Sequence, residues 1–224
     1  MFEDHSGEMV TDIATMWDIY KTQLPFLFTL YPEISRKFLK TLERFGEAYH
    51  YYPHCLLLSG NTGIEAQQAR MLAEYSVFDA YVRGIEGNYE KLLDLAKTDG
   101  ARFPEFLEGK CKFASHTLDI AEAYAAMEQL AIRLDRKEDA ALFAKYRSHL
   151  ADAFDADGLM RADSDYYEGN RYNYSFRPLN DMEQRFAFAG DGGKEMLEKE
   201  ALRFFGYEKP EDVGSRFEGF NTLY

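Results

Sequence analysis

Cysteine is scarce: Cys55 and Cys111 are the only two in 224 residues. With no partner spacing they exclude a zinc finger and a disulfide-stapled scaffold. They could pair, but free buried thiols are the expectation in a chain without an export signal. No apolar run approaches the roughly 20 residues of a membrane-spanning helix. Met1-Phe2-Glu3-Asp4-His5 has no basic stretch leading into an apolar one, so nothing reads as a signal peptide, and a cytoplasmic protein without a membrane partner is expected. Positive charge is short as well. Against 39 Asp and Glu there are 26 Lys and Arg, a formal net charge of −13. Nucleic acid and anionic membranes need a basic face, so neither is a main partner. The five histidines are scattered with no His-x3-His pair; His50 and His54 are four apart, but Pro53 intervenes, so no transition-metal site is expected.

Aromatic rings are abundant instead: 18 Phe and 16 Tyr with a single Trp. They can fill a helical core, and they are also what sugar clefts use, because the C–H faces of pyranoses pack on rings. The length fits one domain over 1–224 with a real core. The pattern is that of helices joined by short loops. Pro32 to about Tyr51 opens with a proline suited to a first turn and carries Ile34, Phe38, Leu42 and Phe45 on one stripe. Further helices are expected over Glu65 to about Arg83, ended by Gly84, and over Tyr89 to Lys97. From Ser115, a plausible N-cap, Ile120, Tyr124, Met127, Ala131 and Leu134 keep helical spacing. Asp135 to Phe154 repeats the form, so the two should make an antiparallel hairpin. Leu179 to Ala189, Lys194 to Phe205 and Pro210 to Phe217 complete a mainly α class.

One stretch breaks the pattern. Asp155 to Pro178 is an irregular aromatic loop holding Tyr166, Tyr167, Tyr172, Tyr174 and Phe176, and Arg171 to Phe176 alternates as a short extended segment would. A polar, ring-rich loop of this length is uncommon unless it forms a site. Glu168 lies within it beside Tyr167, Gly169 and Asn170. A carboxyl among rings loses hydration, which raises its pKa as a general acid requires. Asn170 and Asn173 can donate to and accept from sugar hydroxyls. The competing reading is a surface loop whose tyrosines cap the helix hairpins. Met9 to Pro25 holds Trp17 and Asp18, with Tyr20 and Lys21 close by. Ring stacking with Asp18 hydrogen bonds would suit a pyranose, but on spacing alone a core Trp and a solvated Asp18–Lys21 pair are the favoured explanation. Gly60-Asn61-Thr62-Gly63 lacks the Lys and spacing of a phosphate loop and reads as a helix start. Asp155/Asp157 and Asp163/Asp165 offer oxygen ligands of the kind calcium prefers, but neither continues as an EF-hand loop, and solvated turns explain them.

The run Tyr166-Tyr167-Glu168-Gly169-Asn170-Arg171-Tyr172-Asn173-Tyr174, with Pro178 and Asp181-Met182-Glu183 after it, resembles the tyrosine-rich E-G-N segment of glycoside hydrolase family 92. Met16-Trp17-Asp18-Ile19-Tyr20 is similar to that family's W-D-T-Y/F-R motif, Asp79-Ala80-Tyr81-Val82-Arg83-Gly84 to its D-A-Y helix, and Thr117-Leu118-Asp119 to its T-L-D/E helix. The matches follow family order along almost the whole chain. The resemblance implies part of an α/α toroid built of helical hairpins. It also implies a calcium-dependent, inverting exo-α-mannosidase acting on α-mannosides or N-glycan-type oligosaccharides. Glu168 would be the catalytic acid. Trp17, Asp18, Tyr167, Asn170, Tyr172 and Tyr174 would line the mannose subsite, and Asn221 would be a calcium ligand.

Departures accompany the matches. Lys21 stands where the family has Arg, which weakens a bidentate clamp. After Gly219-Phe220-Asn221 the chain reads Thr222-Leu223-Tyr224 where the family continues into its Asn-Glu ligand motif. The segment that supplies the family's general base lies beyond these residues, as do its β-sandwich domain and first toroid helices. Inverting hydrolysis needs a second carboxylate about 6.5–9.5 Å from the acid. The expectation is therefore a central catalytic portion that holds the acid, with no general base identified among its residues and the activity of the chain alone an open question. The alternative is a non-catalytic helical module that binds sugar or protein. Aromatic surface left uncovered would favour self-association into a homo-oligomer.

Overall fold

The computed structural model of the protein describes residues 13, 15–54, 70–166 and 169–207. In chain order these form α1 (Met16–Ile19), α2 (Gln23–Leu30), α3 (Pro32–Tyr49), α4 (Leu72–Val82), α5 (Tyr89–Gly100), α6 (Pro104–Leu107), α7 (Ala114–Arg133) and α8 (Lys137–Arg147). A 3-10 turn (Ser148–Ala153) follows, then α9 (Arg171–Ser175), α10 (Met182–Ala187) and α11 (Gly193–Phe204). No strand occurs among the described residues; Phe154 and Met160 make an isolated antiparallel bridge. The fold is mainly α and fits an arc of an α/α toroid.

α3 begins at Pro32 and buries Phe38, Leu42 and Phe45 as the spacing predicts. Ile34, however, faces outward, and Ser35 takes the buried place by donating to the Leu27 and Tyr31 carbonyls at 3.0 and 2.8 Å. The central element is α7, which packs against α8, α4 and α5. Its core face carries Ile120, Tyr124, Met127 and Ala131 as expected, and Leu134 sits at the C-terminal end. The helix starts one residue before the expected Ser115 cap. Phe113 holds the cap position, and the Ser164 hydroxyl accepts the Ala114 N–H at 2.9 Å. The second arm of the hairpin runs as α8 and then tightens into the 3-10 turn, so the helix expected to Phe154 ends sooner. Within the expected 65–83 helix, the described part starts after Met71, whose φ of 57° breaks it. The expected helix over 210–217 lies outside the described residues, as does Cys55.

Beneath α7 the core contains a carboxyl pair. Glu74 on α4 and Asp99 on α5 have no exposed surface, and they hydrogen-bond each other. Arg102 holds Asp99 at 3.0 Å, Arg70 acts on it at longer range, and the Tyr52 hydroxyl caps the Leu92 carbonyl beside the pair at 2.8 Å. Tyr124 approaches from α7 so closely that a Cβ on Gly100 would lie 2.1 Å from its hydroxyl, which only glycine permits. Two carboxylates cannot both be charged here. Burial, then the neighbouring Asp99, pushes Glu74 well above the usual carboxylate range, and burial pushes Asp99 up to about 6.

The sign of the pH effect follows. Unfolded carboxyls titrate near pH 4, so the folded pair holds more protons above that pH. Its stabilisation is complete below about pH 4 and declines with rising pH through 6 and beyond. Glu74→Gln keeps the shape, cannot ionise and still offers Asp99 a donor. Relative to wild type, the variant should be equally stable at pH 4 and more stable by about 1–3 kcal/mol at pH 8 in urea titrations, two pKa units being about 2.7 kcal/mol. A variant-to-wild-type difference that stays flat with pH would show that the pair is not the source.

Candidate active site

The aromatic loop is held by side chains that brace its turns. Gly158 turns the chain at a φ of 72°, and a Cβ there would lie 2.3 Å from the Ala189 methyl. Arg171 reaches back to the Met160 carbonyl at 2.7 Å and to Asp157 and Asp155 at 3.0 and 3.3 Å. Asp163 pairs with Arg161 at 2.9 Å. Asp155, Asp157 and Asp163 are thus answered by arginines. Ser175 accepts the Met160 N–H at 2.7 Å, and the buried Arg185 donates to the Ser175 carbonyl at 3.0 Å.

The segment expected to be extended from Arg171 to Phe176 is instead the helix α9. The reason is local. The Asn170 side chain accepts the N–H groups of Tyr172 and Asn173 at 2.9 and 3.3 Å, while Asn173 returns a bond to the Asn170 N–H at 3.0 Å. This capping box satisfies the orphan donors of a first turn and outweighs a loose alternation of rings.

A cluster of rings and charges packs where α1, α7 and the chain after α9 meet. The half-buried Trp17 ring lies 5.9 Å from Tyr174, which lies 5.3 Å from Tyr166. The Arg177 guanidinium sits 5.5 Å from the Trp17 ring and 5.6 Å from Tyr20, and pairs with Asp119 of α7. One turn on, Glu122 accepts the Asn180 N–H at 2.8 Å. Lys21 donates to the Pro178 carbonyl at 3.1 Å and lies 5.4 and 5.9 Å from the Tyr20 and Tyr75 rings. Burial raises both Asp119 and Glu122; Arg177 opposes this at Asp119, and the Asn180 N–H and Arg177 oppose it at Glu122. Burial, then the nearby Arg177 charge, lowers the Lys21 amine to about 8. Two cations and two carboxylates therefore balance beneath a ring-lined wall.

Trp17 and Tyr174, both expected in the site, come together. Tyr172 stacks on Phe204 of α11 with 6.2 Å between centroids. Asp18 is exposed, and Lys21 turns to Pro178 rather than to Asp18 as the solvated-pair reading had it. The Asn170 carbonyl oxygen serves the cap. Tyr167, Glu168 and Asn221 lie outside the described residues. Sequence reasoning did not single out Arg177, Glu122 or Tyr75. A signal for Glu122 was present: Asp119 and Glu122 interrupt an otherwise apolar run on a core helix, and such charges are kept only when paired.

Comparison with known families makes the class explicit: the chain carries a glycoside hydrolase catalytic domain. Residues 3–222 match the Glycosyl hydrolase family 92 catalytic domain, and the chain belongs to that family. No curated protein matches it at a significant level. As to the calcium implied by the resemblance, no three His, Cys, Asp or Glu side chains converge as a cation site among the described residues, so no step is derived through the ion.

The Arg177–Asp119 pair is nearly buried, with side-chain exposures of 9% and 1%. Arg177→Met should strand the Asp119 carboxylate and cost about 3–5 kcal/mol in chemical denaturation at pH 8. Adding Asp119→Leu should restore most of that loss. A single variant as stable as wild type would show that the pair does not hold the cluster.

Proposed function

We propose that the protein is the catalytic portion of an exo-acting α-mannosidase that releases terminal mannose from an α-mannoside or N-glycan-type oligosaccharide with inversion, Glu168 being the general acid. The observation that carries the reading is the meeting of Trp17 with Tyr174 at 5.9 Å. The two segments that resemble the family's sugar-binding motifs are far apart in sequence, and their rings form one wall. The capped start of α9 fixes the backbone two residues after Glu168. In this reading a mannose ring packs on Trp17. Glu168, the acid that the resemblance implies, delivers its proton to the glycosidic oxygen as the bond to the anomeric carbon breaks. Water attacks the opposite face and needs a second carboxylate to take its proton. Asp119 and Glu122 are engaged by Arg177 and the Asn180 N–H, so they are read as groups that orient the wall, and the base is assigned to neither. Calcium belongs to the reading through the resemblance and enters as a variable of the test.

The assay is mannose release from an α-1,2-linked mannobiose, with calcium and with excess chelator. Release that needs calcium, falls on the order of a thousandfold in Glu168→Gln and leaves the melting temperature unchanged is the expected result. Trp17→Ala should weaken binding of a mannose-like iminosugar about tenfold, a loss of about 1.4 kcal/mol. Release undiminished in Glu168→Gln would overturn the role of Glu168. Iminosugar binding without release in any condition would favour a sugar-binding module.

A further inference from the structure

At the N-terminal turn of α7, beside Phe113, His116 and Ile120, lies a pocket of about 470 Å³. Its charge runs against that of the protein. The chain carries a formal −13, yet Arg70, Arg102, Lys110, Lys112 and His116 line this pocket with a single carboxylate, Glu105. Some of the positive charge is already answered: Asp99 holds Arg102 from beneath at 3.0 Å, and Glu108 holds Lys110 at 2.8 Å. Arg70 and Lys112 form no ion pair among the described residues. The Arg70 Nε is buried and has no hydrogen-bond partner among them, while its guanidinium lies over Phe103 at 5.4 Å. A buried donor without an acceptor costs about 1–3 kcal/mol. An oxyanion in the pocket would satisfy it.

Volume and walls narrow the ligand. The pocket exceeds what a bare oxyanion fills and falls in the roughly 300–1,000 Å³ range of small-molecule sites. Phe103 and Phe113 give it apolar faces, Phe113 lying 4.9 Å from the His116 ring. Arg70 and Lys112, neither in an ion pair among the described residues, match a dianion, and rings match the organic body attached to it. We infer that this pocket binds a phosphate monoester of a small organic molecule, through residues other than Trp17, Tyr174 and Glu168 and whether or not the proposed hydrolysis occurs. Arg70 and Lys112 would take the phosphoryl oxygens, and the Phe103–Phe113 walls the organic group.

The test is calorimetric titration of the full chain at neutral pH and low salt with glucose 6-phosphate, inorganic phosphate and glucose. Glucose 6-phosphate should bind at least tenfold more tightly than inorganic phosphate, and glucose should give no heat. Lys112→Glu, a change at an exposed residue, should weaken glucose 6-phosphate at least tenfold with an unchanged melting temperature. The same charge reversal at the exposed Lys137, on α8, should leave it unaltered. The inference is overturned if neither phosphate binds, if both bind equally, if Lys112→Glu binds as wild type, or if Lys137→Glu weakens binding as much. Iminosugar affinity, read in parallel, is expected to be the same in wild type and Lys112→Glu, so loss of the pocket is distinguished from loss of the sugar site.

Discussion

The ion pair between Arg177 and Asp119 ties the irregular part of the molecule to its regular part. Asp119 belongs to α7, whose position is set by packing against α4, α5 and α8. Arg177 follows α9, a helix of five residues that could not hold a place by itself. Joining the two in a nearly buried setting commits the aromatic loop to the helical frame. It also puts a guanidinium against Trp17 and Tyr20, so these rings and the charges of α7 share one packed cluster. Glu122 and Lys21 repeat the device with backbone partners, Asn180 N–H and Pro178 O. Asp119 and Glu122 of α7, with Lys21 from the turn after α1, thus grip the segment 177–180 at Arg177, Pro178 and Asn180.

That arrangement explains why polar groups are tolerated deep in α7. A charge taken from water is costly unless it gains a partner of good geometry. Asp119 has its partner in Arg177, and Glu122 in a backbone donor. Glu74 and Asp99 take the other route and share a proton, with Arg102 and Arg70 moderating the charge that remains. One helix therefore faces two buried acidic sites of opposite character, one ionic and one protonated.

The helical frame was legible in the sequence because its signals are periodic. α3, α7 and α8 follow apolar stripes with Phe38, Leu42, Tyr124 and Phe143 inward, and burial confirms them. What was illegible depended on contacts between distant residues or on short caps. Ile34 fits the stripe but is displaced by Ser35, which can satisfy two carbonyls. The Asn170–Asn173 exchange makes a helix where ring alternation reads as extended. Of the residues that the resemblance implies for the site, Trp17 and Tyr174 are brought together. Arg177 was not legible, because its value lies in a partner 58 residues away. Glu168, Tyr167 and Asn221 fall outside the described residues, so their roles rest on resemblance alone.

The lowered amine of Lys21 has a chemical corollary. With a pKa of about 8 it is half unprotonated in mildly alkaline solution, unlike an ordinary lysine. An unprotonated amine attacks acylating reagents and aldehydes, whereas an ammonium does not. The cluster therefore carries its own covalent handle, beside the Tyr20 and Tyr75 rings. A fluorophore attached there would report ligand binding beside those rings directly, without any cysteine being introduced.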